Sequence, residues 1–283
     1  MSSGQLQGRT PGPAIGTRPP ATPRRPGTGG IRRMADAAYP PVLVGIAGLA
    51  LWEFGVRAGG VKSFILPAPS GIALTLAGSF PRIAAATLTT LEAVLLGLVL
   101  GVAAGVLAAV LVSLAKRLSA PLMTAAVVLS CAPIIALAPI FNAWFGVTGL
   151  MSKAGVAAVM VFFPVFVNST QGLLLMRPLH RELMESLSAS SGQTLRLVRI
   201  PEALPSFFDG LRVAATVSVI GVLVAEYFGG PATALGVLIA NEAALSHFEL
   251  TWAGVVMASA LGLTLYGAVV LLERVCVPWK RAA

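Results

Sequence analysis

Apolar residues run through this chain in long blocks, and polar residues collect between the blocks. About six blocks approach the roughly 20 residues that a helix needs to cross a bilayer. The first covers about Pro40 to Val56, where Pro40 and Pro41 suit a helix start. The second covers Thr87 to Leu114, and the third Pro121 to Trp144, with Pro133 and Pro139 inside it. The fourth covers Ala154 to Met176 and carries Pro164. A long polar connection, Arg177 to Asp209, precedes the fifth block, Leu211 to Phe228, and the sixth, Trp252 to Leu272. Lys62 to Arg82 reads as a connection holding a short amphipathic stretch. The pattern predicts an all-α polytopic membrane protein. Within the second block, Thr89, Ala93, Gly97, Gly101, Gly105, Ala109 and Ser113 recur at every fourth position. Small residues at that spacing let two helix backbones approach closely in lipid, so this seam predicts packing rather than chemistry.

Composition agrees with this pattern. Hydrophobic residues make up 56% of the 283 positions and charged residues 11%, against about 25% charged in a soluble domain. Residues 1–38 differ from the rest: they are rich in Pro, Gly, Ser, Thr and Arg, and predict a disordered basic tail ahead of a permeating domain over 39–283. No apolar stretch precedes Pro40, so no cleaved secretory signal is expected.

The net charge of +9 would suggest nucleic acid in a soluble protein; here the charges sit between apolar blocks and set topology instead. Connections counted from the tail as odd carry Arg9, Arg18, Arg24, Arg25, Arg32, Arg33, Lys116, Arg117, Arg177, Arg181, Arg196, Arg199, Arg212, Arg274, Lys280 and Arg281. Even connections carry only Arg57, Lys62, Arg82 and Lys153. Positive residues stay on the cytoplasmic side, so both termini and the Arg177–Asp209 connection are expected inside the cell.

Candidate chemistry is sparse. Cys131 and Cys276 lie in apolar blocks and read as buried single thiols. His180 and His247 are far apart, and no metal site is expected. Glu92 and Glu226 fall within spans, each about a turn inside the outer end, where they either reach headgroup water or serve the path. Asn142, Asn168, Ser169, Thr170, Gln171, Thr216 and Ser218 could line a path or bond helix to helix.

The long connection carries the most information. Glu182-Leu183-Met184 is followed after three residues by Ser188, and after nine more by Val198-Arg199-Ile200-Pro201. This resembles the EAA signature of ABC importer permeases, Glu-Ala-Ala, three residues, Gly, nine residues, Ile-x-Leu-Pro. Glu182 and Pro201 match in type and spacing, and Val198 and Ile200 match as aliphatics. Leu183 and Met184 replace small residues, and Ser188 replaces the glycine. A short helix is expected over Glu182 to Leu187, which includes Glu185, with Leu183, Met184 and Leu187 on one side. Ser190 and Gln193 have capping-box spacing for a second helix, which Pro201 should end or redirect. Ser188 is expected to stay near helical, with the turn closer to Ser190, because a serine is strained at positive φ.

Further motifs are similar to nitrate/sulfonate/taurine-type permeases: Leu66-Pro67-Ala68-Pro69-Ser70, Pro133 to Pro139 with Trp144-Phe145-Gly146, Ser152-Lys153, Phe163-Pro164, Asn168 with Gly172, Gly210-Leu211-Arg212, and Ala225 to Gly229. The resemblance implies a MetI-like permease core used as a pair of copies, with two ABC ATPase subunits docked at the connection and a solute-binding protein outside. On that reading the chain sits in a prokaryotic plasma membrane. No Gly-Lys dipeptide occurs, so no GxxxxGK[ST] phosphate loop exists. ATP and Mg²⁺ then belong to the partner ATPase, and no cofactor is expected in this chain. The Glu182-Leu183-Met184 form and the Glu226-to-Pro231 run look like the branch that moves pyrimidine vitamin precursors or riboflavin, with sulfonate, taurine or nitrate as the alternative. A secondary transporter or channel would show repeated halves and paired midplane charges, and a membrane enzyme a convergent reactive set. Neither is present in the sequence.

Overall fold

The computed structural model describes residues 30–115 and 119–281, and the backbone there is helical almost throughout. The chain divides into a first unit ending at Ala50 and a second from Leu51 onward. Helix α1 runs Gly30–Ala58 and α2 Pro69–Gly78. The first helix thus begins about ten residues before Pro40, taking in the last part of the expected tail. Residues 1–29 of that tail lie outside the described residues, as do Lys116 and Arg117.

Helix α3 spans Phe80–Leu114 and α6 spans Leu150–Leu174. They pack along the predicted seam. A Cβ at Gly97 would meet the Ala154 carbonyl at 2.8 Å, at Gly101 the Ala158 carbonyl at 2.6 Å, and at Gly105 the Phe162 carbonyl at 3.0 Å. The bare glycines are what allow this approach. Rising numbers on α3 meet rising numbers on α6, so the two helices are parallel. The chain between them must therefore return across the membrane once. That return is not the continuous third helix that the pattern predicts. It is broken into α4, Ser119–Ser130, a 3₁₀ turn, Ile134–Ala136, and α5, Leu137–Phe145. Pro133 sits at the break because it can neither donate a backbone bond nor fit its ring into a preceding turn.

The connection Arg177–Asp209 also departs from expectation. Helix α7 covers Pro178–Ser186, and α8, Ser191–Thr194, starts at the predicted capping box: Gln193 N donates to Ser190 Oγ at 3.3 Å and Ser190 N to Gln193 Oε1 at 2.8 Å. From there the chain does not break. A π-helical turn, Leu195–Arg199, leads directly into α9, Ile200–Tyr227, giving one 37-residue helical run. Pro201 neither ends nor redirects it. A proline ring collides with the carbonyl four residues back, and the wider π turn just before it relieves that collision.

Helix α9 runs antiparallel to α6. A Cβ at Gly172 would touch Ala203, one at Gly210 Pro164 and Asn168, and one at Gly221 Ala157 and Met160. Helices α10, Leu235–Ala244, and α11, Phe248–Cys276, close the second unit. α11 packs on α9, α10 and α2, and Trp52 stands edge-on to Trp252 at 5.3 Å. Among the described residues, four helical runs are long and apolar enough to cross a membrane, 80–114, 150–174, 191–227 and 248–276. Their outward faces carry large apolar side chains such as Leu88, Val99, Leu107, Leu263 and Leu271, which lipid or a partner helix would cover. Cys131 and Cys276 are exposed, correcting the expectation of buried thiols: both lie on faces that none of the described helices covers.

Candidate functional site

The helix directions sort the polar residues into two ends. The C-termini of α3, α6 and α11 lie at the end that holds α7, and the C-terminus of α9 lies at the end that holds α10.

At the first end, α7 presents leucine after leucine to its surroundings. Leu179 is 72% exposed, Leu183 52% and Leu187 66%. They recur every fourth residue and so line one face of the helix. Glu182 borders that face, Glu185 stands on the opposite side of the helix, and both are exposed. Met184 does not join it. It is buried against this chain's own body, so the expected trio of Leu183, Met184 and Leu187 is a pair with an anchor behind it. Val198 lies half-buried in the π turn, Ile200 is exposed, and Pro201 is half-buried. His180 Nδ1 bonds Glu202 Oε1, and Arg177 approaches the same oxygen at 4.0 Å. Arg199 Nε donates to the Leu173 carbonyl at 2.8 Å.

The turn after α7 corrects a second expectation. Ser188 has φ +51°, in the left-handed region. Ala189 N donates to the Met184 carbonyl and Ser188 N to the Glu185 carbonyl, each at 3.0 Å. This paired closure is the Schellman motif, which demands a left-handed residue just past the helix. Helix-end bonding outweighs the serine's conformational preference, so the turn stays where a glycine would have placed it.

At the second end, Glu226 is 2% exposed. It does not reach headgroup water through this chain. Thr90 Oγ1 donates to its carboxylate at 2.9 and 3.0 Å, Gly236 N donates to Oε2 at 2.8 Å, and Leu235 N donates to Thr90 Oγ1 at 2.9 Å. Leu235 and Gly236 open α10, whose own leading residue, Ala234, offers no side-chain cap. Glu226 and Thr90 supply that cap from α9 and α3, and a carboxylate there also suits the positive end of the helix. Glu53 does the same for α2, accepting from Ser70 N at 3.0 Å and Ser70 Oγ at 2.8 Å. The Ser70 of the Leu66–Ser70 motif is thus an anchor between helices.

Beside Glu226, Asn142, Ser152 and the 2%-exposed Lys153 form a second buried set. Lys153 Nζ donates to Asn142 Oδ1 at 2.8 Å and to the Val147 carbonyl, Ser152 Oγ donates to Asn142 Oδ1, and Asn142 Nδ2 lies 3.4 Å from the Phe228 carbonyl. These bonds pin the α5–α6 turn to the end of α9.

Five of the candidate path residues, Glu92, Asn142, Asn168, Thr216 and Glu226, therefore do not converge. Asn142 and Glu226 lie at the α10 end. Asn168 Nδ2 bonds the Pro164 carbonyl and Thr216 Oγ1 the Val213 carbonyl, each within its own helix. Glu92 is exposed on the outward face of α3. Lys153 entered the sequence reading only as part of the Ser152-Lys153 motif and as a connection charge, and Thr90 and Glu202 were not singled out. Two signals could have found Thr90 and Glu202: an uncapped short helix beside a carboxylate in an apolar block, and a histidine within reach of an acid in the following helix.

Residues 101–275 match the family described as the binding-protein-dependent transport system inner membrane component. The chain belongs to this family. It is the transmembrane permease subunit of an ATP-binding-cassette importer, a multi-pass inner-membrane transport component of the kind whose partners are an ATPase and a binding protein. This permease is 36% identical over 241 residues to the riboflavin transport system permease protein RibX of Chloroflexus aurantiacus, covering 82% of this chain and 87% of that one. It is 30% identical over 247 residues to the formylaminopyrimidine transport permease protein ThiX of Halalkalibacterium halodurans, covering 86% and 97%. The taurine transport system permease protein TauC of Escherichia coli is 26% identical over 147 residues, about half of each chain. Helix α6, the α7–α9 run and all but the last residue of α11 fall within the matched region, as do Gly101 and Gly105 of the seam, while α1, α2 and the first part of α3 precede it.

Proposed function

We propose that α7 is the docking element for a separate ATPase subunit, and that two copies of this permease enclose a path for a small heteroaromatic solute handed over by an external binding protein. The observation that carries this reading is the exposed stripe of Leu179, Leu183 and Leu187 on a short helix standing clear of the long ones. An amphipathic helix with anchors at that spacing fits a groove on a partner protein. The basic residues Arg177, Arg181, Arg196, Arg199, Arg212 and Arg274 cluster at the same end, which supports a cytoplasmic α7, on the side where ATP is. Both termini fall on that side as well. ATP and Mg²⁺ bind the ATPase and not this chain.

The test is Leu187→Asp. A charge in an apolar groove without a partner is costly, so the variant should insert at normal abundance yet lose the co-purifying ATPase and uptake. Full retention of both would remove α7 from the interface. Orientation is read with single cysteines in a background lacking Cys131 and Cys276: Arg196→Cys should react only after the inner face is opened, and Ala244→Cys in intact cells.

The solute class rests on the two relatives named for riboflavin and formylaminopyrimidine. Calorimetry of the cognate binding protein against riboflavin, a formylaminopyrimidine and taurine decides it. Binding of taurine alone would move this permease to the sulfonate side.

A further inference from the structure

Helix α7 is joined to the body in an unusual way. No long helix packs closely along it among the described residues. Its hold consists of the buried Met184, the chain at its two ends, and one polar contact, His180 to Glu202. Among the described residues, His180 is the only α7 side chain bonded to a long helix, and Arg177, just ahead of α7, adds its charge at 4.0 Å from the same Glu202 oxygen.

Glu202 needs explaining on its own terms. An acidic residue in the first turn of a helix is usually there for the unpaired backbone N–H groups. That reason does not apply, because the helical run already began at Ser191 and the Ile200 N–H is bonded to the Leu195 carbonyl. The carboxylate instead turns toward α7. The base of α9 is itself firmly seated: Arg199 is bonded to the Leu173 carbonyl, and Gly172 lets α6 touch Ala203 and Ser206. A loosely packed helix with an exposed apolar face is therefore tied, by one charge-assisted contact, to the foot of a helix that crosses the membrane. A hydrogen bond of this type is short and directional, so it can hold an angle between two helices where loose apolar contact would let them slide.

We propose that the His180–Glu202 pair is the strut that turns displacement of α7 into displacement of α9. This rests on the reading of α7 as the ATPase docking helix and adds to it the residues through which the motion leaves that helix. His180 and Glu202 are positioning residues. They touch neither solute nor nucleotide, and act by making α7 and the foot of α9 move as one piece.

The experiment uses the complete permease–ATPase complex in proteoliposomes. A cysteine replaces Tyr227, at the far end of α9 and 65% exposed, in a background lacking Cys131 and Cys276. Its rate of reaction with a maleimide is compared without nucleotide and with ATP plus vanadate. In the parent complex, ATP plus vanadate should change the rate. In Glu202→Gln and in His180→Ala that change should shrink at least threefold, while the ATPase remains bound and still hydrolyses ATP. The exchanged pair, His180→Glu with Glu202→His, should restore the change, which a general loosening of the fold would not allow. An undiminished change in both single variants overturns the strut, and so does loss of the bound ATPase together with failure of the exchange to rescue. Leu187→Asp is run alongside. If it releases the ATPase while Glu202→Gln leaves the nucleotide response intact, docking stands and the strut falls. If Leu187→Asp keeps its ATPase, the docking reading has failed.

Discussion

Replacing Ser188 by glycine should tighten the turn that follows α7. The side chain sits on a backbone with φ +51°, where an L-residue pays about 1–2 kcal/mol because its Cβ crowds the carbonyl. Glycine does not pay that cost but loses about 0.5–1 kcal/mol more backbone entropy on ordering. The balance favours Ser188→Gly by about 0.5–1 kcal/mol, equivalent to roughly a two- to fivefold shift toward the closed turn. Two amides report on it directly: Ser188 N, bonded to the Glu185 carbonyl, and Ala189 N, bonded to the Met184 carbonyl. Hydrogen exchange of position 188 and Ala189 in the purified complex should slow by that factor. Ser186→Gly is the internal control, because Ser186 lies inside α7, where glycine weakens a helix by up to about 1 kcal/mol. It should speed the same amides. The reasoning is refuted if Ser188→Gly speeds exchange at Ala189, or if the two glycine variants act in the same direction.

Three further outcomes follow from the packing. Gly101→Val places atoms within 2.6 Å of the Ala158 carbonyl and of Val161, so it should cost at least about 1–3 kcal/mol and lower the melting temperature in detergent, while Gly262→Ala, which meets nothing within 4 Å, should not. Glu226→Leu removes the acceptor from Gly236 N and from Thr90, and should cost about 1–3 kcal/mol, read as faster exchange at Leu235 and Gly236, with Glu226→Gln milder. Glu242, on the short helix α10, responds to pH. Burial pushes its carboxyl up, but bonds from His247 and from Arg82 at 2.7 Å outweigh burial and hold it below the ordinary value of 4.5. A lowered folded value means the contact is complete above about 4.5 and is lost as pH falls through the folded value; proteolysis at Ser246–His247 should therefore accelerate on acidification, and Glu242→Gln should abolish that dependence.

How much of this could be read from the sequence varies by feature. The seam was legible from Ala93 to Ser113, because a four-residue repeat of small side chains has one physical use in lipid, but at its start Thr90 and not Thr89 is the buried residue. The capping box at Ser190 was legible because it depends only on two residues and their spacing. The break in the third span was not, since a proline ahead of a helix, as Pro133 is, and one in its first turn, as Pro139 is, are both tolerated, and only the parallel packing of α3 on α6 shows that the chain must return between them. Pro201 misled for the opposite reason. The rule that proline breaks a helix assumes an α-helical turn ahead of it, and the π turn at Leu195–Arg199 leaves no individual residue as a signature. At the candidate site, the leucines of α7 were visible as apolar residues in a polar connection. That Met184 faces inward while Leu183 and Leu187 face outward depended on where the body lay. Glu226 was recognised as an oddity in an apolar block, but its use as a cap could not be seen, because the helix it caps begins nine residues later.

The π turn bears on how such a chain can change length. It holds one residue more than an α-helical turn would, so everything ahead of Leu195 is about 100° out of phase with everything after Arg199. A deletion or insertion within α9 itself would swing Glu226 away from Gly236 relative to Glu202, and break one end to keep the other. A one-residue deletion between Leu195 and Arg199 would wind the π turn into an α turn, leaving Glu202 and Glu226 on their original faces and altering only the short arm that leads to α7, at the cost of returning the Pro201 ring to the carbonyl that the π turn now keeps clear. The membrane-crossing rod is thus insulated from length changes in the arm that moves it, and the five residues Leu195–Arg199 are the place where the angle between arm and rod can be reset one residue at a time.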